Sequence, residues 1–356
     1  MRRLGYRPIL IVMSSSSSRS LAPGTRVAGY EIERELGQGA MAVVFKAIQL
    51  NLQRPVALKV LSEKLASNEE YVGCFFNEAR AAAALSHAHI VQVFEAGIAE
   101  NGIYYFAMEY VAGESLLERI HREDTISPGP GLDLALHIAD ALSYGWTRQR
   151  LTHGDIKPEN IMINAIGEPK LADFGLAKVA EHDFQGSDLL LTPLYAAPEM
   201  IRGEHMKGDC RADIYSFGAT LYHMFGGDPP FPGDRAQEVM QKHLHDPVEV
   251  LSQRNPTVPG MVSDLVGHML QKDADRRPRT WDEVLQALLA ARQQLDRPPA
   301  VIKATVKAGV TKPLRRARAV KPHHNRAGSR IGLAMMALVS TCLVIFLAVH
   351  FGLRPY

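Results

Sequence analysis

The sequence predicts an α+β fold of two lobes, followed by one apolar helix towards the C-terminus. Three observations carry this. Short β-like runs crowd the stretch from Tyr30 to Tyr110, helical periodicity takes over after Gly113, and Ile331 to Val349 contains no charged residue. Strands first and helices later is the pattern of segregated α+β architectures. A length of 356 residues suits one large domain or two smaller ones with extensions, and 46% apolar with 22% charged residues is an ordinary globular composition.

The N-terminal stretch MRRLGYRPILIVM has a basic start and an apolar run, but Ile9 to Met13 is too short for a secretory signal and follows Pro8. With the serine run Ser14 to Ser18 and the Leu21-Ala22-Pro23-Gly24 that follows, residues 1–29 read as a flexible segment. β-like runs then come at Tyr30–Glu35, Val43–Gln49, Val56–Leu61, Val91–Ile98 and Tyr104–Tyr110, rich in branched and aromatic residues. One helical segment, about Glu69 to Ser86, interrupts them. Beyond Gly113 apolar residues recur at i, i+3 and i+4. The globular texture ends near Arg292, giving a domain over 30–292.

Residues 293–330 form a linker, broken by Pro298, Pro299, Pro313 and Pro322 and dominated by lysine and arginine. Residues 331–353 are expected to form a single transmembrane helix, with 354–356 as a short tail. Nineteen uncharged residues at helical rise span about 28 Å, close to the bilayer core. Lys312, Arg315, Arg316, Arg318, Lys321, Arg326 and Arg330 precede the helix and only Arg354 follows. Positive charge stays on the cytoplasmic side, so the domain is expected to be cytoplasmic on a single-pass cell-membrane anchor. Ala334, Ala337 and Ser340 recur at spacings of three, and a homodimer through this helix is an expectation. The few residues beyond Val349 are expected to be too short for an external sensor domain.

The formal net charge of +2 excludes a strongly basic or acidic whole-chain function. The basic linker carries no aromatic residue for base stacking, so anionic membrane lipid is the expected partner and nucleic acid is not. Cys74, Cys210 and Cys342 lie far apart with no metal-type spacing, which fits a reducing compartment.

Gly37-Gln38-Gly39-Ala40-Met41-Ala42 sits between two β-like runs, where glycines let the backbone turn and approach a phosphate. An ordinary hairpin explains the motif equally well. A dinucleotide fold would need a helix after the glycines, and Val43-Val44-Phe45 is β-like. In Val56-Ala57-Leu58-Lys59-Val60, a lysine inside an apolar strand must leave the core or find a partner. Glu78 shares the face of Phe75, Ala82 and Leu85 on the helix that follows, so it is the natural partner, although a solvated helix charge would also explain it. His153-Gly154-Asp155-Ile156-Lys157-Pro158-Glu159-Asn160 and Asp173-Phe174-Gly175 adjoin apolar runs. One carboxylate and one amide suit magnesium, a hard cation that prefers oxygen, and the second carboxylate is left to orient a hydroxyl. Singly, each residue could serve a turn or cap. His87 and His89 read as packing and backbone-bonding residues rather than metal ligands.

In this order the motifs resemble those of the eukaryotic-type protein kinases, especially the membrane-anchored bacterial Ser/Thr kinases, over Tyr30 to Arg292. The resemblance implies the two-lobed protein-kinase fold and binding of ATP with Mg2+, or Mn2+ in its place. It implies that Gly37, Gln38, Gly39 and Ala40 cover the phosphates, and that Val44, Ala57, Met108, Glu109 and Val111 line the adenine pocket. Lys59 would hold the α- and β-phosphates and pair with Glu78. Asp155 would orient the acceptor hydroxyl, Lys157 neutralise the transferred phosphoryl, and Asn160 with Asp173 hold the metal. Ala197-Pro198-Glu199 resembles the end of the activation segment, Asp213 the support of the catalytic loop and Arg277 the partner of Glu199. Lys157 and Thr192-Pro193-Leu194-Tyr195 resemble Ser/Thr rather than tyrosine kinases, which implies protein substrates with Ser/Thr acceptors.

Two positions depart from the family pattern. Ala42 replaces the third glycine of the loop, and Gly154 stands where the family has an arginine that grips an activation-segment phosphate. The second departure leads to the expectation that activity does not depend strongly on phosphorylation there, with Ser187 and Thr192 the nearby hydroxyls. The leading function is an active Ser/Thr kinase that also phosphorylates itself in membrane-associated signalling. The alternative is a pseudokinase scaffold that binds nucleotide and partners without turnover.

Overall fold

The computed structural model describes residues 21–39, 41–174, 193–204 and 209–296. The expectations for residues 1–20, for Ala40, Gly175, Ser187 and Thr192, for the linker from 297 and for the apolar helix fall outside the described residues. The described residues belong to one compact unit. Among the described residues no helix is long and apolar enough to cross a membrane.

The upper lobe is an antiparallel sheet of β1 (Arg26–Val27), β2 (Tyr30–Gln38), β3 (Ala42–Gln49), β4 (Arg54–Leu61), β5 (Val93–Ile98) and β6 (Tyr104–Glu109), in the order β1-β2-β3-β4-β6-β5. Successive side chains point to opposite faces of the sheet, and β4 is buried on both faces from Val56 to Leu61. Tyr30, Ile32, Phe45, Ala47, Val56, Leu58, Tyr105 and Ala107 form one small core. Register places Val44, Lys59 and Phe106 side by side, and Lys46, Ala57 and Met108 likewise, on the opposite face. The sheet curls strongly: Tyr30 of β2 donates its hydroxyl to Glu95 of β5 at 2.8 Å although three strands separate them in the order. Tyr105 donates to the other oxygen of the same carboxylate at 2.9 Å.

Helix α1 (Glu69–Ala83) covers the second face. Asn68 caps it by accepting from the Glu70 amide, and Glu69 and Glu70 complement the positive end of the helix dipole. Phe75, Glu78, Ala79 and Ala82 are buried, and Phe75 meets Phe106 with ring centroids 5.0 Å apart. The helix stops three residues before the expected Ser86. Its last turn tightens through Leu85 N to Ala82 O, and the chain then ties itself to the lower lobe. Leu171 donates to the His89 carbonyl and Val91 donates to that of Leu171, both at 2.9 Å, so β5 starts at Val93 and not at the expected Val91.

The lower lobe contains α2 (Leu116–Glu123), α3 (Pro128–Gln149), α4 (Pro198–Ile201), α5 (Arg211–Gly226), α6 (Ala236–His245), α7 (Leu251–Arg254), α8 (Gly260–Met269) and α9 (Trp281–Asp296). Every residue of α5 from Asp213 to Phe225 is buried, so this helix is the axis of the lobe. Helical periodicity after Gly113 is therefore observed, but a small sheet accompanies it: β7 (Gly113–Ser115), β8 (Ile161–Asn164) and β9 (Pro169–Leu171). Strands of three or four residues are too short to show a period. Gly113 is required there, because an added Cβ would sit 1.8 Å from the Ile163 carbonyl oxygen.

Two boundaries also move. Arg26–Val27, expected to be flexible, pairs with β2 and fully buries Val27. Helix α9 continues to Asp296, past the expected end at Arg292, whose guanidinium bonds Asp133 at 2.7 Å and Asp296 at 2.6 Å.

Candidate active site

The cleft between the lobes brings together those expected residues that are described, Ala40 lying outside them. At its roof, the β2–β3 hairpin pairs Gly37 with Val44 and Gln38 with Val43, and the Gly39 amide donates to Ala42 O at 2.8 Å. An added Cβ at Gly37 would meet nothing within 4 Å, and one at Gly39 only Ala42 O at 3.5 Å. Protein packing therefore does not dictate these glycines. They leave open space for something to approach the backbone closely. Ala57 and Met108 are buried beside Val111, and half-buried Val44 lies on the same face of the sheet. Glu109 is engaged within the protein: its carboxylate pairs with Lys170 at 3.0 Å and its amide donates to Gln92 O at 2.8 Å.

Lys59 is 8% exposed, too deep for a lone ammonium. Its Nζ lies 2.7 Å from Glu78 Oε1 and 2.8 Å from Asp173 Oδ1, joining sheet, helix α1 and lower lobe at one charge. Burial works to lower the Lys59 pKa, but the Asp173 and Glu78 carboxylates override it and the group stays cationic. Burial pushes Glu78 up to about 6 against the pull of Lys59. Burial acts upward on Asp173 too, yet Lys59 outweighs it and the carboxyl sits below its ordinary value.

The loop after α3 is held from below. Asp213 of α5 accepts from the His153 amide at 2.6 Å and the Gly154 amide at 2.9 Å. Gly154 adopts φ +78°, a left-handed conformation that strains residues with a side chain, so its identity has a backbone reason that composition did not reveal. His153 Nε2 lies 2.9 Å from the Ala172 carbonyl, while Nδ1 accepts from the Asp155 amide at 3.2 Å, which fixes the Nε2–H tautomer. Lys157 Nζ is 2.7 Å from Asp155 Oδ2. The Asn160 amide donates to Asp155 O at 2.8 Å and to Oδ2 at 3.0 Å, which leaves its oxygen as a donor for a cation. Asp173 is a non-glycine residue at φ +57°, a local strain typical of functional positions.

Some residues that sequence reasoning left without a role complete the site. Phe174 is 1% exposed and packs on His153 at 5.0 Å between ring centroids. Its ring occupies the space beside Gly145 of α3, where an added Cβ would lie 2.6 Å from it. A glycine inside a long helix, about 1 kcal/mol worse than alanine, was the available signal. Farther down, Glu199 and Arg277 form a two-pronged buried pair at 2.6 and 2.8 Å. The two histidines weighed as packing residues do pack and bond: His87 Nε2 lies 3.1 Å from Asp140 and His89 Nδ1 lies 2.9 Å from Pro169 O. Among the described residues no group of three His, Cys, Asp or Glu side chains could hold a metal. One carboxylate of Asp173 and the amide oxygen of Asn160 fit a hard cation that takes its remaining ligands from phosphate and water.

Comparison with known proteins agrees with this geometry. The family model described as protein kinase domain matches residues 30–289. The chain is 33% identical over 264 residues to the serine/threonine-protein kinase PrkC of Bacillus subtilis, covering 73% of this chain and 40% of that protein. It is 35% identical over 267 residues to the serine/threonine-protein kinase PknB of Mycolicibacterium smegmatis, covering 73% and 42%. The chain thus spans about two-fifths of the length of these relatives. The crystal structure of the kinase domain of PknI from Mycobacterium tuberculosis superposes with a TM-score of 0.59 at 30% identity, covering 76% of this chain and 99% of that one. With a family match over most of its length and a cleft that brings Lys59, Glu78, Asp155, Asn160 and Asp173 together, the chain belongs to the protein kinase domain family.

Proposed function

We propose that this chain is an ATP-dependent Ser/Thr protein kinase that phosphorylates protein hydroxyls, its own included. The observation that carries the reading is Lys59 between Glu78 and Asp173, with Asp155, Lys157 and Asn160 across the same cleft. Lys59, fixed by Glu78, would hold the α- and β-phosphates beneath the open glycines of the β2–β3 hairpin. Val44, Ala57, Met108 and Val111 would enclose the base, with the main chain of Glu109 at its edge. Asp155, held by Lys157 and Asn160, would accept a hydrogen bond from the acceptor hydroxyl and set its direction. Lys157 would balance charge on the moving phosphoryl group. Asn160 and Asp173 would hold Mg2+, or Mn2+ on the same oxygens, and a bound divalent ion supplies charge compensation to the β- and γ-phosphates. Positioning and electrostatics are what phosphoryl transfer requires of a protein.

The test separates catalysis from a binding-only scaffold. Asp155→Asn should bind MgATP as the wild type does while transfer falls by roughly a thousandfold or more, and Lys59→Met should lose both affinity and transfer. Wild-type protein that bound MgATP yet labelled no protein would leave only the scaffold reading. Because Gly154 offers no charge to a phosphate, phosphatase treatment should leave activity within about twofold.

The anchor is part of the same proposal. Ile331 to Val349 is uncharged and long enough to span the bilayer, and the basic residues before it favour a cytoplasmic kinase domain and anionic lipid contact. Protease added to right-side-out vesicles should spare the kinase domain, and cleavage there would reverse the orientation. Crosslinking in membranes tests the homodimer, for which the small residues Ala334, Ala337 and Ser340 are the support.

A further inference from the structure

The turn Pro193–Tyr195, just ahead of Ala197-Pro198-Glu199, is one short 3-10 turn closed by Ala196 N to Pro193 O at 3.3 Å. So short a turn cannot fix its own course, and two buried histidines supply anchors. His223 of α5 places Nδ1 2.8 Å from the Tyr195 hydroxyl, the rings nearly parallel at 17°. His243 of α6 places Nε2 3.1 Å from the Leu194 carbonyl oxygen. That carbonyl can only accept, so Nε2 of His243 carries a proton. In the neutral ring Nδ1 is then an acceptor, and the Tyr215 hydroxyl donates to it at 2.8 Å. Burial first, then the nearby Lys272 ammonium, hold the His243 pKa down to about 3, so the ring is neutral at physiological pH. Its surroundings are built around it: Phe231 meets the ring edge-on at 4.8 Å, and Lys272 sits 4.0 Å over Phe231 while donating to Lys242 O at 3.1 Å.

We propose that His243 is a positioning residue for the protein substrate: its Nε2–H holds the Leu194 carbonyl, and so sets the course of Pro193-Leu194-Tyr195, the stretch whose sequence resembles that of kinases with Ser/Thr acceptors. The inference rests on the protein-kinase reading and deepens it. Tyr215 belongs to the same device, because its hydroxyl selects the tautomer that points a proton at Leu194. A histidine that merely filled the core would tolerate an apolar residue of similar size without any selective effect on the protein substrate.

The experiment uses the full chain, with dephosphorylated casein as the probe. His243→Leu keeps bulk and removes the donor, whereas His243→Gln can return an N–H at similar reach. For His243→Leu the casein KM should rise about tenfold, the worth of one buried hydrogen bond, with MgATP affinity and casein-independent ATP hydrolysis within about twofold of wild type. His243→Gln should recover most of the KM, and Tyr215→Phe should raise it in the same direction. An unchanged casein KM in folded His243→Leu overturns the proposal. So does an equal loss of MgATP affinity, turnover and melting temperature in both His243 variants. If the leucine variant does not fold, Tyr215→Phe decides, and an unchanged KM there overturns the proposal too. Wild-type chain that binds MgATP but labels no casein overturns the kinase reading and this one with it. Labelling that is indifferent to His243 overturns the positioning role alone.

Discussion

At the scale of single residues, the site depends on charges that are stable only in company. Glu78 can hold Lys59 only when ionised, and burial raises its pKa to about 6. The sign follows directly: the ion pair is intact above about pH 6 and is lost as pH falls through that value. MgATP affinity should therefore weaken between pH 7.5 and 5.5 in the wild type, while Glu78→Gln should show a weaker but flat profile, both measurable by calorimetric titration. A wild-type profile as flat as that of the glutamine variant would remove Glu78 from this role. Glu199 and Arg277 make the complementary case in the lower lobe. Arg277 is 2% exposed and also donates to the carbonyls of Gln271, Lys272 and Arg211. Glu199→Gln would leave its buried charge short of a partner, a loss on the order of 3–5 kcal/mol in chemical denaturation.

At the scale of elements, sequence patterns disclosed what repeats and concealed what does not. Five of the six upper strands and α1 were legible because alternation and helical spacing extend over enough residues to register. The inward turn of Glu78 followed from its sharing a face with Phe75 and Ala82. The short strands β1, β7, β8 and β9 were not legible, since two to four residues carry no period and their pairing is decided by distant partners. The reasons for particular glycines were hidden in the same way. Gly154 is set by a left-handed φ of +78° over Asp213, and Gly145 by the ring of Phe174 on another element. The second of these has a measurable consequence. Gly145→Ala improves helix propensity yet drives a methyl into Phe174, so overpacking of about 1–3 kcal/mol should outweigh the gain in α3. The displaced ring carries Asp173 with it, so MgATP affinity should fall along with the melting temperature. A variant with raised stability and unchanged affinity would show that Phe174 moves aside freely.

At the scale of the whole molecule, the buried histidines set the response to acid. Burial holds His223 and His243 down to about 3, from an ordinary 6.5. The unfolded chain takes up those protons first, so their contribution is complete above about pH 6.5 and drains away as pH falls towards about 3. At pH 5 each has given up roughly 2 kcal/mol. Glu78 works the other way, because its raised pKa lets the folded state hold a proton that the unfolded chain has released. That gain amounts to roughly 1 kcal/mol between pH 6 and 5, too little to cancel two histidines. From these three groups alone, urea unfolding should show a net loss of about 3 kcal/mol between pH 7 and pH 5. His243→Gln, which carries no titrating ring, should be less stable at pH 7 but should lose about 2 kcal/mol less on acidification. Parallel pH profiles for the two proteins would mean that the imidazole of His243 remains accessible to protons in the folded state, against the burial that the fold gives it.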